Sequence, residues 1–182
     1  KYNIRRPFIL YNGTIEPRKN IVKMIEAYKT TKAYQNKTQL IITGKYGWCC
    51  DEIFSALSEY DKSLIIFTGY IEREELIKLY NSALFFIYIS LYEGFGLPVI
   101  EAFGCGCPVI TSDIEVIKEI TDNAALLVNP EDLDDIKTKI DLMYENENIR
   151  NNYIKLGLQR AEFYKTDNSV MQLLSLYRKS KL

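Results

Sequence analysis

A doubly wound α/β domain built on a parallel sheet of about six strands is the fold class this sequence predicts. Three observations carry the prediction. Short apolar, β-branched or aromatic runs alternate with longer segments of helical period, most of those runs are continuously apolar, and glycines follow them repeatedly. Continuous apolar character suits parallel strands buried on both faces. Strands alternating with helices imply βαβ units wound into one sheet.

Taken in order, the strand-like runs are Phe8–Asn12, Gln39–Thr43, Leu64–Thr68, Leu84–Ile89, Pro108–Thr111 and Ala125–Val128. Between the first two, Ile21, Ile25 and Tyr28 recur at i, i+4, i+7, the apolar stripe of a helix. After the sixth run, Leu133, Ile136, Ile140 and Met143 recur at i, i+3, i+7, i+10, with Asp132 placed as the N-cap. The last forty or so residues hold no strand signal and read as two or three helices, with Asp167 as a further cap. No repeat, low-complexity tract or linker interrupts the pattern, so residues 1–182 read as one domain. The chain opens almost directly on a strand, as though cut from something longer. Gly13, Gly44, Gly69, Gly94 and Gly96 lie just beyond strands, where ligands bind in such sheets. A turn needing positive φ explains any one of them. Several along one edge point to close backbone approach to a ligand.

Composition bounds the function. Lys plus Arg number 23 against 24 for Asp plus Glu, a net charge of -1. That balance argues against a nucleic-acid binder, which shows a basic excess or stripe. Hydrophobic residues make up 47% and charged residues 26%, ordinary for a globular protein. The cysteines fall as Cys49-Cys50 and Cys105-Gly106-Cys107, and there is no histidine. Neither spacing suits zinc or a disulfide framework, so a reducing, cytoplasmic setting is expected and no metal site. Apolar runs such as Ala83–Ile89 are too short to span a bilayer, and the N-terminal KYNIRRPF lacks a signal-peptide core.

The chemistry concentrates in LYEGFGLPVIEAFGCGCPVITS, residues 91–112. Pro98 suits the first turn of a helix, where a missing N–H is no loss. Gly94–Leu97 is then a loop aimed into a helix N-terminus, a natural diphosphate site. Glu101 falls about one turn inside that helix among Val99, Ile100, Ala102 and Phe103. A carboxylate buried there needs donors, and ribose hydroxyls would serve. For Glu93, in the loop before that helix, a cap is the lesser of its readings. Arg18-Lys19 alone would be a solvated pair; in a glycine loop after the first strand it is a phosphate candidate. Trp48 is core packing or a pocket wall. Cys105 and Cys107 suit a tight helix exit.

Two glutamates separated by seven residues, with G-F-G-L-P between them, resemble the signature of the large family-4 retaining glycosyltransferases. Tyr11–Ile21 (YNGTIEPRKNI) is similar to that family's first strand and phosphate loop, and Ile41–Trp48 (IITGKYGW) to its second strand and loop. Phe67–Tyr80 (FTGYIEREELIKLY) resembles the strand and turn that hold the nucleobase. The tail, LGLQRAEFY…LLSLY, is similar to the closing helices, with Thr166 where a tryptophan is common.

The resemblance implies the C-terminal half of a GT-B enzyme, a Rossmann-like sheet with C-terminal helices. Lys19 matches the lysine that contacts the donor diphosphate. Many members carry an arginine after the loop glycine; here that place is Thr14, and Arg18 is the substitute charge. Glu93 matches the glutamate near the donor sugar and Glu101 the one that holds the ribose. Gly94, Phe95, Gly96 and Leu97 match the loop whose N–H groups face phosphates and sugar. Tyr70 and Ile71 match the turn that reads the base. Gly13, Thr14 and Gly44 belong to the donor side as members of the first two loops.

By the same resemblance the expected partner is a nucleoside diphosphate sugar, with GDP-mannose ahead of UDP-sugars, and neither metal nor cofactor is needed. The acceptor site, a histidine and any peripheral membrane association belong to an N-terminal domain outside this chain, leaving this half inactive alone. Two other classes remain open: a non-catalytic nucleotide-sugar-binding or interaction module, and half of a sugar-nucleotide epimerase or phosphorylase-like enzyme.

Overall fold

The computed structural model describes residues 2–5, 7–48 and 58–165. Its strands are β1 (Phe8–Asn12), β2 (Gln39–Thr43), β3 (Ile65–Gly69), β4 (Phe85–Tyr88), β5 (Val109–Ser112) and β6 (Leu126–Val128). They form one sheet in the order β3-β2-β1-β4-β5-β6, every pair parallel. The expected six-stranded doubly wound sheet is therefore present. β1, β2, β4 and β5 are buried along almost their whole length, which explains their unbroken apolar sequences; β3, at an edge, is half-buried.

Four strands, β3 to β6, start one residue later than the sequence reading, two of them for evident local reasons. Leu64 ends a short helix instead of opening β3. Pro108, with no N–H to donate, precedes β5 and contributes only its carbonyl, which accepts from Phe86 N at 2.8 Å.

The helices are α1 (Ile21–Lys29), α2 (Lys32–Gln35), α3 (Glu59–Leu64), α4 (Arg73–Tyr80), α5 (Leu97–Gly104), α6 (Glu115–Thr121), α7 (Leu133–Glu145) and α8 (Glu147–Phe163). Ile21, Ile25 and Tyr28 are buried as their spacing required. In α7 the same holds for Ile136, Ile140 and Met143, whereas Leu133 is 41% exposed, heading the helix beside its solvated cap. Asp132 caps α7 through its side chain, which accepts from the N–H groups of Asp134 and Asp135. Asp167, Thr166, the LLSLY segment and Cys49-Cys50 lie outside the described residues. α1 and α2 pack with α7, and α5 packs with α8. No helix among the described residues is long and apolar enough to cross a membrane.

The order of the strands positions the site. From β1 the chain moves outward through β2 to β3, then returns to place β4 on the other side of β1. The reversal opens a crevice at the carboxyl ends of β1 and β4, where ligands bind in such sheets. Beneath it runs a buried aromatic row. Tyr11 and Tyr88 are stacked with centroids 6.0 Å apart, Tyr88 and Phe86 at 5.8 Å, and Tyr80 meets Phe86 edge-on at 5.2 Å.

Candidate functional site

The loops along this edge are tied to one another by backbone. Gly13 N–H donates to Thr43 O, Gly44 N–H to Gly69 O and Ile15 N–H to Lys45 O, joining the loops after β1, β2 and β3. Gly44 has φ +137°, and a Cβ there would stand 2.0 Å from Gly13 O. Only glycine lets these two loops touch. Gly13 and Gly94 do not have positive φ, so the turn explanation fails for both; a Cβ on Gly94 would meet open space. The loop after β1 is also tied to the one after β4. Leu91 N–H donates to Arg18 O at 2.8 Å, and Asn20 Nδ2 donates to Ile89 O and Pro130 O. Asn20 sits at φ 59°, ending the short 3₁₀ turn Pro17–Lys19 and opening α1.

That turn delivers Arg18 and Lys19 to one carboxylate. Lys19 Nζ lies 2.6 Å from Glu93 Oε1, and Arg18 Nη1 lies 3.3 Å from Glu93 Oε2. Lys19 and Glu93 are 5% and 6% exposed, so this is a buried ion pair, while the Arg18 guanidinium is half-exposed. Arg18 also reaches Tyr92 O at 3.1 Å and Glu16 at 2.6 Å. Tyr88 Oη donates to Glu93 Oε1 at 2.8 Å and accepts from Lys19 Nζ. Burial alone would push the Glu93 pKa up. The hydrogen bonds from Lys19, Ser90 and Tyr88 and the Lys19 charge outweigh it and hold the carboxyl below its ordinary value. Burial, then the Glu93 charge, pushes the Tyr88 phenol far up, so it stays protonated as a donor.

Gly96, at φ 97°, is the N-cap of α5; no side chain caps that end, and Pro98 is in the first turn as expected. A Cβ at Gly96 would meet Ile117 Cδ1 at 2.9 Å. The loop before it exposes Gly94, Phe95 and Leu97, and Phe95 packs edge-on against Tyr164 at 5.9 Å. Leu97, the first residue of the helix, is 62% exposed; behind it Pro98 has no N–H and the Val99 N–H donates to Gly96 O at 3.0 Å.

Glu101 departs from expectation: it is exposed. The helix buries Val99, Ala102 and Phe103, and position 101 is roughly 200° round from Val99, on the opposite side. An apolar helix sequence does not bury every position. Glu101 borders a cavity of about 170 Å³ between α4 and α5, with Arg73, Leu76, Tyr80 and Cys105. The Tyr80 hydroxyl lies 3.5 Å from Glu101 Oε2 and accepts from Asn12 Nδ2 at 3.2 Å.

Elsewhere along the edge, Thr14 is exposed, Ile71 is buried, and Tyr70 is 58% exposed beneath the Lys45 ammonium, 5.3 Å from the ring centroid. Trp48 is 63% exposed, which removes the core-packing alternative. Cys107 is buried, Cys105 half-buried, and burial raises the pKa of both thiols.

The sequence model of the family described as glycosyl transferases group 1 matches residues 1–160. The chain belongs to that family. It is 34% identical over 173 residues to O-antigen chain mannosyltransferase B of Escherichia coli, covering 94% of this chain and 45% of that protein. It therefore spans about half the length of this curated relative. The structure of sucrose-phosphate synthase from Thermosynechococcus elongatus superposes with a TM-score of 0.83 at 27% identity, over 95% of this chain and 45% of that one. The C-terminal domain of a glycosyl transferase group 1 family protein from Francisella tularensis superposes with a TM-score of 0.75 at 23% identity, over 86% and 85%. The fold is that of the Rossmann-like domain found in GT-B glycosyltransferases.

The structure brings Lys19, Arg18 and Glu93 into direct contact and sets the Gly94–Leu97 loop and the loops of Gly13, Thr14, Gly44 and Tyr70–Ile71 along the same edge of the sheet. Glu101 makes no contact with that charged group; its polar neighbour is Tyr80. Tyr88 was missed. Its signal was a polar-tipped aromatic in FFIYIS, at the carboxyl end of an otherwise apolar strand and five positions before Glu93.

Proposed function

We propose that this chain is the donor-binding half of a retaining glycosyltransferase. The whole enzyme transfers a hexose from a nucleoside diphosphate sugar, GDP-mannose in preference to a UDP-sugar, to a glycan or lipid-linked acceptor. The observation that carries this reading is the meeting of Lys19 and Arg18 with the Glu93–Gly96 loop at the β1–β4 switch point. The mannose preference rests on the named activity of the Escherichia coli relative.

Departure of a diphosphate leaves charge on its oxygens, and preorganised donors placed there are often the largest catalytic contribution. Lys19 spends two of its three N–H groups on Glu93 and Tyr88, leaving the third for a phosphate oxygen. Arg18 adds a second, solvent-facing cation, taking the part that Thr14 leaves vacant. The uncapped start of α5 adds the positive end of the helix dipole. Glu93, held ionised, accepts from sugar hydroxyls and keeps the Lys19 ammonium aimed. Glu101, exposed beside the cavity between α4 and α5, accepts from the ribose 2′- and 3′-hydroxyls. These groups suffice for the leaving group without a metal ion. The acceptor pocket belongs to a second domain outside these 182 residues, and closure of the two excludes water and aligns the reactants.

Calorimetry with GDP, UDP, ADP and their sugars, paired with a transfer assay, tests this. Saturable binding of a nucleoside diphosphate without transfer is expected. Lys19→Ala should weaken diphosphate binding about ten- to a hundredfold, with a much smaller effect on the monophosphate. Equal losses for both would remove Lys19 from the β-phosphate. Absence of any nucleotide binding would overturn the donor-site reading, and robust transfer by this chain alone would overturn the half-enzyme reading.

A further inference from the structure

The hydroxyl of Tyr88 closes a three-membered ring of hydrogen bonds. Lys19 donates to Glu93 Oε1, Lys19 donates to the phenol oxygen, and the phenol donates to that same Oε1 at 2.8 Å. The phenol has one proton and gives it to the carboxylate, so its lone pairs are left to take the lysine. The direction of every bond in the ring is thereby fixed. Tyr88 itself is immobilised by the sheet. It is the last residue of β4, 1% exposed, stacked on Tyr11 and Phe86, and its carbonyl accepts from Thr111 Oγ1 at 2.7 Å. A rigid strand therefore carries a group that touches both members of the buried ion pair.

We propose that Tyr88 is a positioning residue of the donor site: its hydroxyl holds the Lys19 ammonium in the crevice and keeps Glu93 an anion. Without it, the ammonium N–H now given to the phenol loses its partner, and Lys19 is held by Glu93 alone and is less precisely aimed at the ligand. The proposal extends the donor-site reading to a residue that touches no ligand atom and acts through Lys19 and Glu93. Its chemistry concerns a few groups. Lys19, Arg18, Ser90, Tyr88 and Tyr11 face Glu93, and Glu16 stands behind Arg18. Removing the phenol takes one donor from the carboxylate and alters no charge.

Tyr88→Phe keeps the ring, its stacking and its volume, so the variant should fold. Following the side-chain carboxyl carbons of ¹³C-glutamate by NMR through an acid titration reads Glu93 directly, with Glu93→Gln assigning the signal. The Glu93 midpoint should rise by about one pH unit in Tyr88→Phe, the order of shift a hydrogen bond to the charged form produces. In calorimetry the same variant should bind nucleoside diphosphate about fivefold more weakly, with monophosphate affinity nearly unchanged. An unmoved Glu93 midpoint in the folded variant overturns the proposal, whether or not the chain binds nucleotide. If the parent binds no nucleotide while the midpoint shifts, the ring stands and the donor-site reading falls. If the parent binds and Tyr88→Phe changes neither readout, Tyr88 only packs.

Discussion

The two glutamates of the E-x7-E segment are the same side chain eight positions apart, and the fold treats them in opposite ways. Glu93 is buried, met by a lysine, an arginine and a tyrosine, and held below its ordinary pKa. Glu101 is exposed on the outer side of α5, with a tyrosine hydroxyl at 3.5 Å. A buried carboxylate must be satisfied by the protein before any ligand arrives, because an unpaired buried charge is strongly destabilising. An exposed one rests in water and can wait for its partner. The first is therefore part of the architecture of the site, and the second is a hand held out from it.

The largest expected effect breaks this contrast at its strong end. Glu93→Ala strands the Lys19 ammonium, and urea unfolding should show a loss of about 3 kcal/mol. Glu101→Ala should stay within about 0.5 kcal/mol, as for surface positions generally. Comparable losses for the two would mean that Glu93 is no better integrated than Glu101.

Acid should sharpen the contrast. The folded pKa of Glu93 is depressed, so its contribution is fully present above its unfolded value of about 4.3 and is lost as pH falls through the folded value. Asp61, held well down by Lys29, Ser58 and Tyr34 despite its burial, acts in the same sense from an unfolded value of about 3.9. Stability measured from pH 5 downward should fall, and Glu93→Gln and Asp61→Asn should each remove part of the slope. An unchanged slope in Glu93→Gln would show that its ion pair adds nothing to folding.

The smallest effect belongs to Glu101. Glu101→Gln should weaken ribonucleotide binding about tenfold and leave 2′-deoxyribonucleotides nearly untouched. Equal losses for both ligands would remove the ribose from its account.

Much of this was legible in the sequence, for unequal reasons. Strands buried on both faces announce themselves as unbroken apolar runs, so Phe8–Asn12 and Gln39–Thr43 were placed without error. The Gly96–Pro98 start of α5 followed from the limits those residues put on backbone conformation. What one dimension could not give was facing. Glu101 shares an apolar helix yet points away from the core, and Leu133 shares an apolar period yet is exposed. The convergence of Arg18 and Lys19 on Glu93 depends on the αL residue Asn20 ending a 3₁₀ turn, a geometry that no spacing rule encodes. Tyr88 was hidden because a tyrosine in a buried strand looks like packing until its hydroxyl is placed.

The sheet order also governs when, during folding, this site can exist. Lys19 and Glu93 are 74 positions apart, joined only because β4 returns to lie beside β1 after β2 and β3 have been laid down on the other side. Contacts of such long range form against a loop-closure entropy that local helices never meet, and they tend to arrive late. No short stretch of this chain can therefore rehearse the site in isolation. The Leu91 amide, bonded to Arg18 O across that same divide, becomes a natural clock for the process. Its protection from hydrogen exchange should appear together with that of the β1–β4 ladder and after that of α1. Nucleotide affinity gained during refolding would then report completion of the central strand pair, not the growth of any one helix.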